Sequence, residues 1–143
     1  MAIGSKLDFS EFDDVPFHRY LGLTLTERRD DYARLRMTLG DTTPTGIGGA
    51  VNGGALATLI DMSAVPAVFT GMREGTEPGG TADLQVTYLR QAKGRWLEAE
   101  AKVLKRGRNL CTVDVSVHND SGVLCARGRV LYALRAGAGG DGR

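Results

Sequence analysis

The chain has 143 residues, a formal net charge of +1 and 42% apolar residues. That is enough for one compact domain with a core, and too evenly charged to favour nucleic acid or an anionic membrane. Two cysteines and two histidines give neither a disulfide framework nor a metal-binding spacing, and residues 1–7 lack the apolar stretch of a secretion signal. The expectation is a cytoplasmic enzyme or binding domain that needs no metal and takes no nucleic-acid or membrane partner.

In chain order, residues 1–8 are expected to be flexible. Residues 9–22 read as a short helix, with Ser10 as a possible cap and Pro16 weakening it. Residues 23–29 and 32–39 alternate as strands. In the second, Ala33, Leu35, Met37 and Leu39 share one side, and Asp30-Asp31 suits a hairpin turn. A Thr/Gly/Pro-rich loop covers 41–51. From Gly53 the pattern turns helical, with Leu56, Leu59, Ile60 and Ala64 recurring at three- and four-residue steps. So little polar face remains that other structure should wrap this helix, and Pro66 should kink it or end its regular part. After an exposed loop at 73–80 come four strand-like runs, at 81–89, 95–104, 110–117 and 123–134. The Gly/Ala-rich tail 135–143 is expected to be disordered.

One residue stands out. Asp61 is the only charge between Asp41 and Arg73. A lone ionised carboxylate is costly to bury, so it implies a raised pKa, a hidden partner or a chemical task. The bland alternative is a helix-surface carboxylate that only looks buried. Nearby, Asn52 reads equally as a helix N-cap or as a catalytic group, and Gly53-Gly54 as close packing or as a backbone kept open. Thr81 taken alone reads as an ordinary strand threonine. Lys105, Arg106, Arg108 and Asn109 form a basic turn that is either solvated or phosphate-binding.

The element order places one long apolar helix against antiparallel strands that must curl around it. This is an α+β hot-dog fold filling residues 9–134 as a single domain, with an open sheet face or edge that favours pairing into dimers. At 52–61, Asn-Gly-Gly-Ala-Leu-Ala-Thr-Leu-Ile-Asp resembles the hot-dog acyl-CoA thioesterases, in particular the phenylacetate-pathway (PaaI-type) and 4-hydroxybenzoyl-CoA groups. In that family, His-Gly-Gly opens the helix and an acidic residue follows eight positions after the first glycine. Gly53, Gly54 and Asp61 keep the spacing, while Asn52 stands where the family has histidine. The stretch 81–90, running into Tyr-Leu-Arg, and the Arg106-Gly107-Arg108 turn extend the likeness over 17–134. Asparagine cannot carry a proton to a leaving group near neutral pH, and Gln91 replaces the family's usual proline.

A helix start offers free amides and positive dipole character, so the Gly53 N–H is the expected oxyanion donor. At 1.5 Å per residue, Asp61 lies roughly 12 Å further along the helix, too far for both to meet one carbonyl. The resemblance implies a site between two subunits of a homodimer, or of a dimer of dimers (a homotetramer). Asp61 of one would serve as general base or nucleophile, Thr81 would position it, and Gly53 of the other would hold the oxyanion. It further implies an acyl-CoA substrate whose CoA moiety replaces any separate cofactor, with Lys105, Arg106, Arg108 and Asn109 toward its phosphates. Leu56, Ile60, Met62 and Phe69 are candidates to line the acyl pocket, for which aryl and medium-chain groups both fit. Two rivals stay open: a non-catalytic acyl-CoA binding domain, and a hot-dog hydratase or dehydratase, which would pair a histidine with the acid.

Overall fold

A computed structural model describes residues 9–137. The expectations for residues 1–8 and 138–143 lie outside the described residues. A 3-10 turn at Phe9–Asp14 leads into helix α1, Pro16–Leu21. Pro16 therefore starts a helix instead of weakening one. At the first helical position no donated amide is required, and the fixed φ of proline is already helical. Strands β1, Leu23–Arg29, and β2, Tyr32–Thr38, form the expected hairpin. Asp31 turns its corner with a φ of 59°, a left-handed conformation that aspartate tolerates better than most residues. A short 3-10 turn, Ile47–Gly49, precedes helix α2, Gly53–Thr70. Strands β3, Thr76–Tyr88, β4, Trp96–Arg106, β5, Leu110–Asn119, and β6, Leu124–Ala136, complete the chain.

The strands make one six-stranded antiparallel sheet in the order β1-β2-β4-β5-β6-β3, curved around α2 as a hot dog. Alternation decides its two faces. Leu35, Met37, Leu97, Ala99, Val113, Val115 and Val130 point inward and are fully buried against Leu56, Leu59, Ile60, Ala64 and Val68 of α2. Gly128 on β6 lets the helix come close, since a Cβ there would stand 2.6 Å from the Ile60 Cγ2 atom. The outer face carries ion pairs instead, including Arg36–Glu98 at 3.2 Å and Arg127–Asp114 at 2.6 Å.

Three expectations change. Residues 76–80 are strand, not loop. Pro78 and the glycines are tolerated because β3 is an edge strand bonded only to β6, where a missing amide breaks no second ladder. Arg135 and Ala136 belong to β6, paired with Glu77 and Thr76, so the fold runs past residue 134. Finally, α2 passes through Pro66 without ending, and the sheet does not wrap it fully. Gly54, Ala57, Thr58, Asp61, Met62, Val65 and Phe69 stay partly exposed, a stripe at helical spacing that the sheet leaves uncovered. By length and a mean hydropathy of 1.4 the helix could cross a bilayer, but its other side is the core of this domain.

Candidate functional site

The uncovered stripe of α2 faces β3, and the two elements meet at both ends of the candidate site. Asp61 is half-buried, and the Thr81 hydroxyl donates to its Oδ1 at 2.7 Å. The β3–β6 register shifts on each side of Thr81, between Pro78 and Gly80 and again between Thr81 and Asp83. Such bulges re-aim a side chain, and these two frame the residue that reaches the carboxylate. Below lies Tyr132, 5% exposed, its ring edge-on to Phe69 at 5.9 Å. Burial pushes the Tyr132 phenol up from its ordinary range; the Asp61 charge adds to this, while a backbone bond from Gly80 opposes it. The phenol therefore stays protonated beside the carboxylate.

Asn52 is the N-cap of α2. Its Oδ1 accepts from the Gly54 N–H at 2.8 Å and the Ala55 N–H at 3.3 Å, and its carbonyl accepts from the Leu56 N–H. Of the two meanings open for Asn52, its contacts support the capping one. The Gly53 N–H lies outside this capping set, at the positive end of the helix dipole. The Gly53 carbonyl accepts from the Tyr88 hydroxyl at 2.6 Å. A Cβ on Gly53 would sit 3.3 Å from that oxygen, so the phenol packs directly on the glycine. Sequence reasoning passed over Tyr88. Its signal was the Tyr-Leu-Arg run, which gave no hint of contact with the helix start.

The basic turn divides. Arg106 leaves only 9% of its side chain exposed and its Nη2 donates to Asp31 at 2.7 Å. It is an internal anchor, not a free surface cation. Arg106 and Arg108 share a cavity of about 170 Å³ with Arg73, Thr76, Met72 and Leu134. The Arg106 Nη1 is buried without a hydrogen-bond partner. Lys105 and Asn109 do not line this cavity; the Asn109 carbonyl instead accepts from the Leu134 N–H. Arg73 is the cation that sequence reasoning missed, because it follows α2 and lies far along the chain from the turn.

Leu56 and Ile60 are sealed in the core, so they do not line an open pocket. Met62 and Phe69 sit on the uncovered stripe. His18 is buried, with Nδ1 2.7 Å from the Phe12 carbonyl oxygen and Nε2 3.2 Å from the Met62 sulfur. Among the described residues no hydrogen bond or ion pair within the chain joins a histidine to Asp61. A cavity of about 410 Å³ lies between the 39–51 loop and residues 92–94, and none of Asp61, Thr81, Gly53 and Tyr88 lines it. The candidate site is instead an open shelf between α2 and β3.

Comparison with known proteins gives the family and the fold. A family model described as Thioesterase superfamily matches residues 48–126, from just before Asn52 into β6. A medium/long-chain acyl-CoA thioesterase of Salmonella typhimurium, YigI, is 27% identical over 136 residues, covering 84% of this chain and 86% of that protein. The crystal structure of zebra fish thioesterase superfamily member 2 is 31% identical with a TM-score of 0.75, covering 87% of this chain and 91% of that one. A thioesterase protein from Streptococcus pneumoniae, solved with coenzyme A, shares the fold at 18% identity, with a TM-score of 0.76 and coverage of 90% and 98%.

Proposed function

Since this chain belongs to the Thioesterase superfamily and is a thioester hydrolase, we propose that it cleaves an acyl-CoA to the carboxylate and CoA, with Asp61 as the reacting carboxylate. The observation that carries this reading is the 2.7 Å bond from Thr81 to Asp61 on the uncovered face of α2. It leaves Asp61 Oδ2 for water or substrate and fixes the direction of the carboxylate. As general base, Asp61 takes a proton from water while the resulting hydroxide adds to the thioester carbonyl. The Gly53 N–H stabilises the oxyanion, and collapse expels the CoA thiolate. As nucleophile, the carboxylate forms a mixed anhydride that water then opens. Thiolate is a good leaving group, so neither route needs an acid at position 52.

Gly53 and Asp61 of one helix are roughly 12 Å apart along its axis, so each site draws Gly53 from one subunit and Asp61 from another. The far side of β3 has no strand partner among the described residues, and Leu84, Tyr88 and Leu89 on and just beyond it are exposed. An open apolar edge beside an uncovered helix stripe supports a homodimer, or a dimer of dimers, closed across this surface. Arg73 and Arg108 would meet the CoA phosphates, beside Arg106 anchored on Asp31. The name of the YigI relative and the open position of Met62 and Phe69 favour a medium or long aliphatic acyl group.

The test is thiol release from a panel of aliphatic and aryl acyl-CoAs by the wild type and Asp61→Asn side by side. Turnover of medium-chain substrates that the variant loses is expected; equal turnover by both would remove Asp61 from the chemistry. Single turnover in ¹⁸O-water identifies an anhydride that water opens at the Asp61 carbonyl, because the label then enters the Asp61 side chain and an Asp61 oxygen leaves with the product.

A further inference from the structure

We propose that Tyr88 is a positioning residue for the oxyanion donor, holding the first peptide plane of α2 from the edge strand; this rests on the acyl-transfer role given to Gly53. The plane between Gly53 and Gly54 is gripped at both ends. Its carbonyl oxygen accepts from the Tyr88 hydroxyl at 2.6 Å, and its N–H donates to Asn52 Oδ1 at 2.8 Å. A peptide plane held at both polar atoms resists rotation about the Cα–C bond of Gly53, and the Gly53 N–H lies in the preceding plane, joined to it through the same Cα. Glycine is the residue that most needs such restraint, because without Cβ it has the widest backbone freedom. The missing Cβ also makes room for the clamp, since one added there would lie 3.3–3.5 Å from the Tyr88 hydroxyl and ring.

Tyr88 can act as a clamp because its own backbone is tied down. It pairs with Ala126 of β6, and the next two amides, of Leu89 and Arg90, both donate to the Cys125 carbonyl at 2.8 and 3.2 Å. Within one chain the residue is 54% exposed, so packing in that chain's core does not account for the placement of its hydroxyl. One strand thus serves a reacting group in each of two sites, through Thr81 on the Asp61 of one and Tyr88 on the Gly53 of the other. An oxyanion donor lowers a barrier only when already aimed at the developing charge. Loosening its peptide should therefore lower kcat more than it changes substrate binding.

The experiment is Tyr88→Phe, which keeps the ring and removes the hydroxyl. It should lower kcat roughly ten-fold with KM within about two-fold, at an unchanged unfolding midpoint. Combined with Asn52→Ala, the loss in kcat should be smaller than the product of the two single losses, since both residues hold one plane. Combined with Thr81→Ala, which acts on the other group, the losses should multiply. An unchanged kcat, or a rise in KM alone, would overturn the clamp; the latter would make Tyr88 a channel wall. Hydrogen exchange needs no turnover. The Gly54 amide should exchange faster in Tyr88→Phe, and equal protection would refute the clamp even if the protein released no thiol from any acyl-CoA. Faster exchange in a protein without thiol release would instead uphold the clamp and remove the acyl-CoA reading.

Discussion

The two ends of α2 are finished in opposite ways. At its start, Asn52 caps the second and third amides of the helix, Tyr88 holds a carbonyl, and the Gly53 N–H stays outside the cap. At its end the Thr70 hydroxyl and the following amide are tied up. The Thr70 hydroxyl donates to the Ala67 carbonyl and accepts from the Asp31 N–H, and the Gly71 N–H donates to Val68 O. Arg106 then pairs with Asp31 across the terminus, and a Cβ on Gly71 would lie 2.6 Å from both partners. A guanidinium suits the negative end of a helix dipole as an unused amide suits the positive end. One terminus keeps an amide outside its cap, while the backbone of the other is closed with the protein's own groups.

If that contrast is right, changes near the first end should cost activity and changes at the second should cost stability. The largest effect is expected for Asp61→Asn: a loss on the order of 10³-fold in kcat with little change in urea midpoint, read by thiol release and by unfolding of the same sample. Next is Asp31→Ala. It leaves the buried Arg106 without its counter-charge and places alanine at a positive φ, so about 3 kcal/mol of stability should be lost. The variant's kcat below its unfolding midpoint should match the wild type.

Asn52→Ala comes third. Loss of the cap should cost about 1 kcal/mol, and Asn52→Asp should restore most of it, because either side-chain oxygen can accept the Gly54 N–H. The smallest effect is a pH dependence. Burial raises the Cys111 and Cys125 thiols and the Tyr32 and Tyr132 phenols. A group whose folded pKa is raised keeps its full contribution below its unfolded value and loses it as pH rises through the folded one. Stability should therefore be level through neutral pH and decline from about pH 9, the ordinary thiol value. Alkylation of both cysteines should be slow until the protein unfolds, and rapid labelling at neutral pH would contradict this.

Much of this was legible in the sequence for a definite reason. Asp61 and the glycines before it are anomalies in an apolar stretch, and anomalies are visible without knowing the fold. The alternation of β4 and β5 was equally plain, because both strands have one dry face. Illegible features depended on partners distant along the chain. Arg106 read as a surface cation because nothing local shows that Asp31, 75 residues away, meets it. The start of β3 read as a loop because Pro78, Gly79 and Gly80 are poor strand formers, and only its edge position excuses them. Tyr88 looked like any strand aromatic until the helix start was placed under its hydroxyl.

The pairing of β3 with β6 has a temporal side. The β1–β2 hairpin and the β4–β5–β6 meander join neighbours in sequence, but Thr76 must wait for Ala136. Contacts so far apart along the chain are slow to close and late to gain from one another. Asp61 and Gly53 leave the ribosome early, on a helix able to pack against the first strands to appear. Their restraints, Thr81 and Tyr88, ride on a strand that has nowhere to dock until the last one is made. A nascent chain can thus gain a core before it gains an active centre, and the capacity to react is the last property that folding delivers.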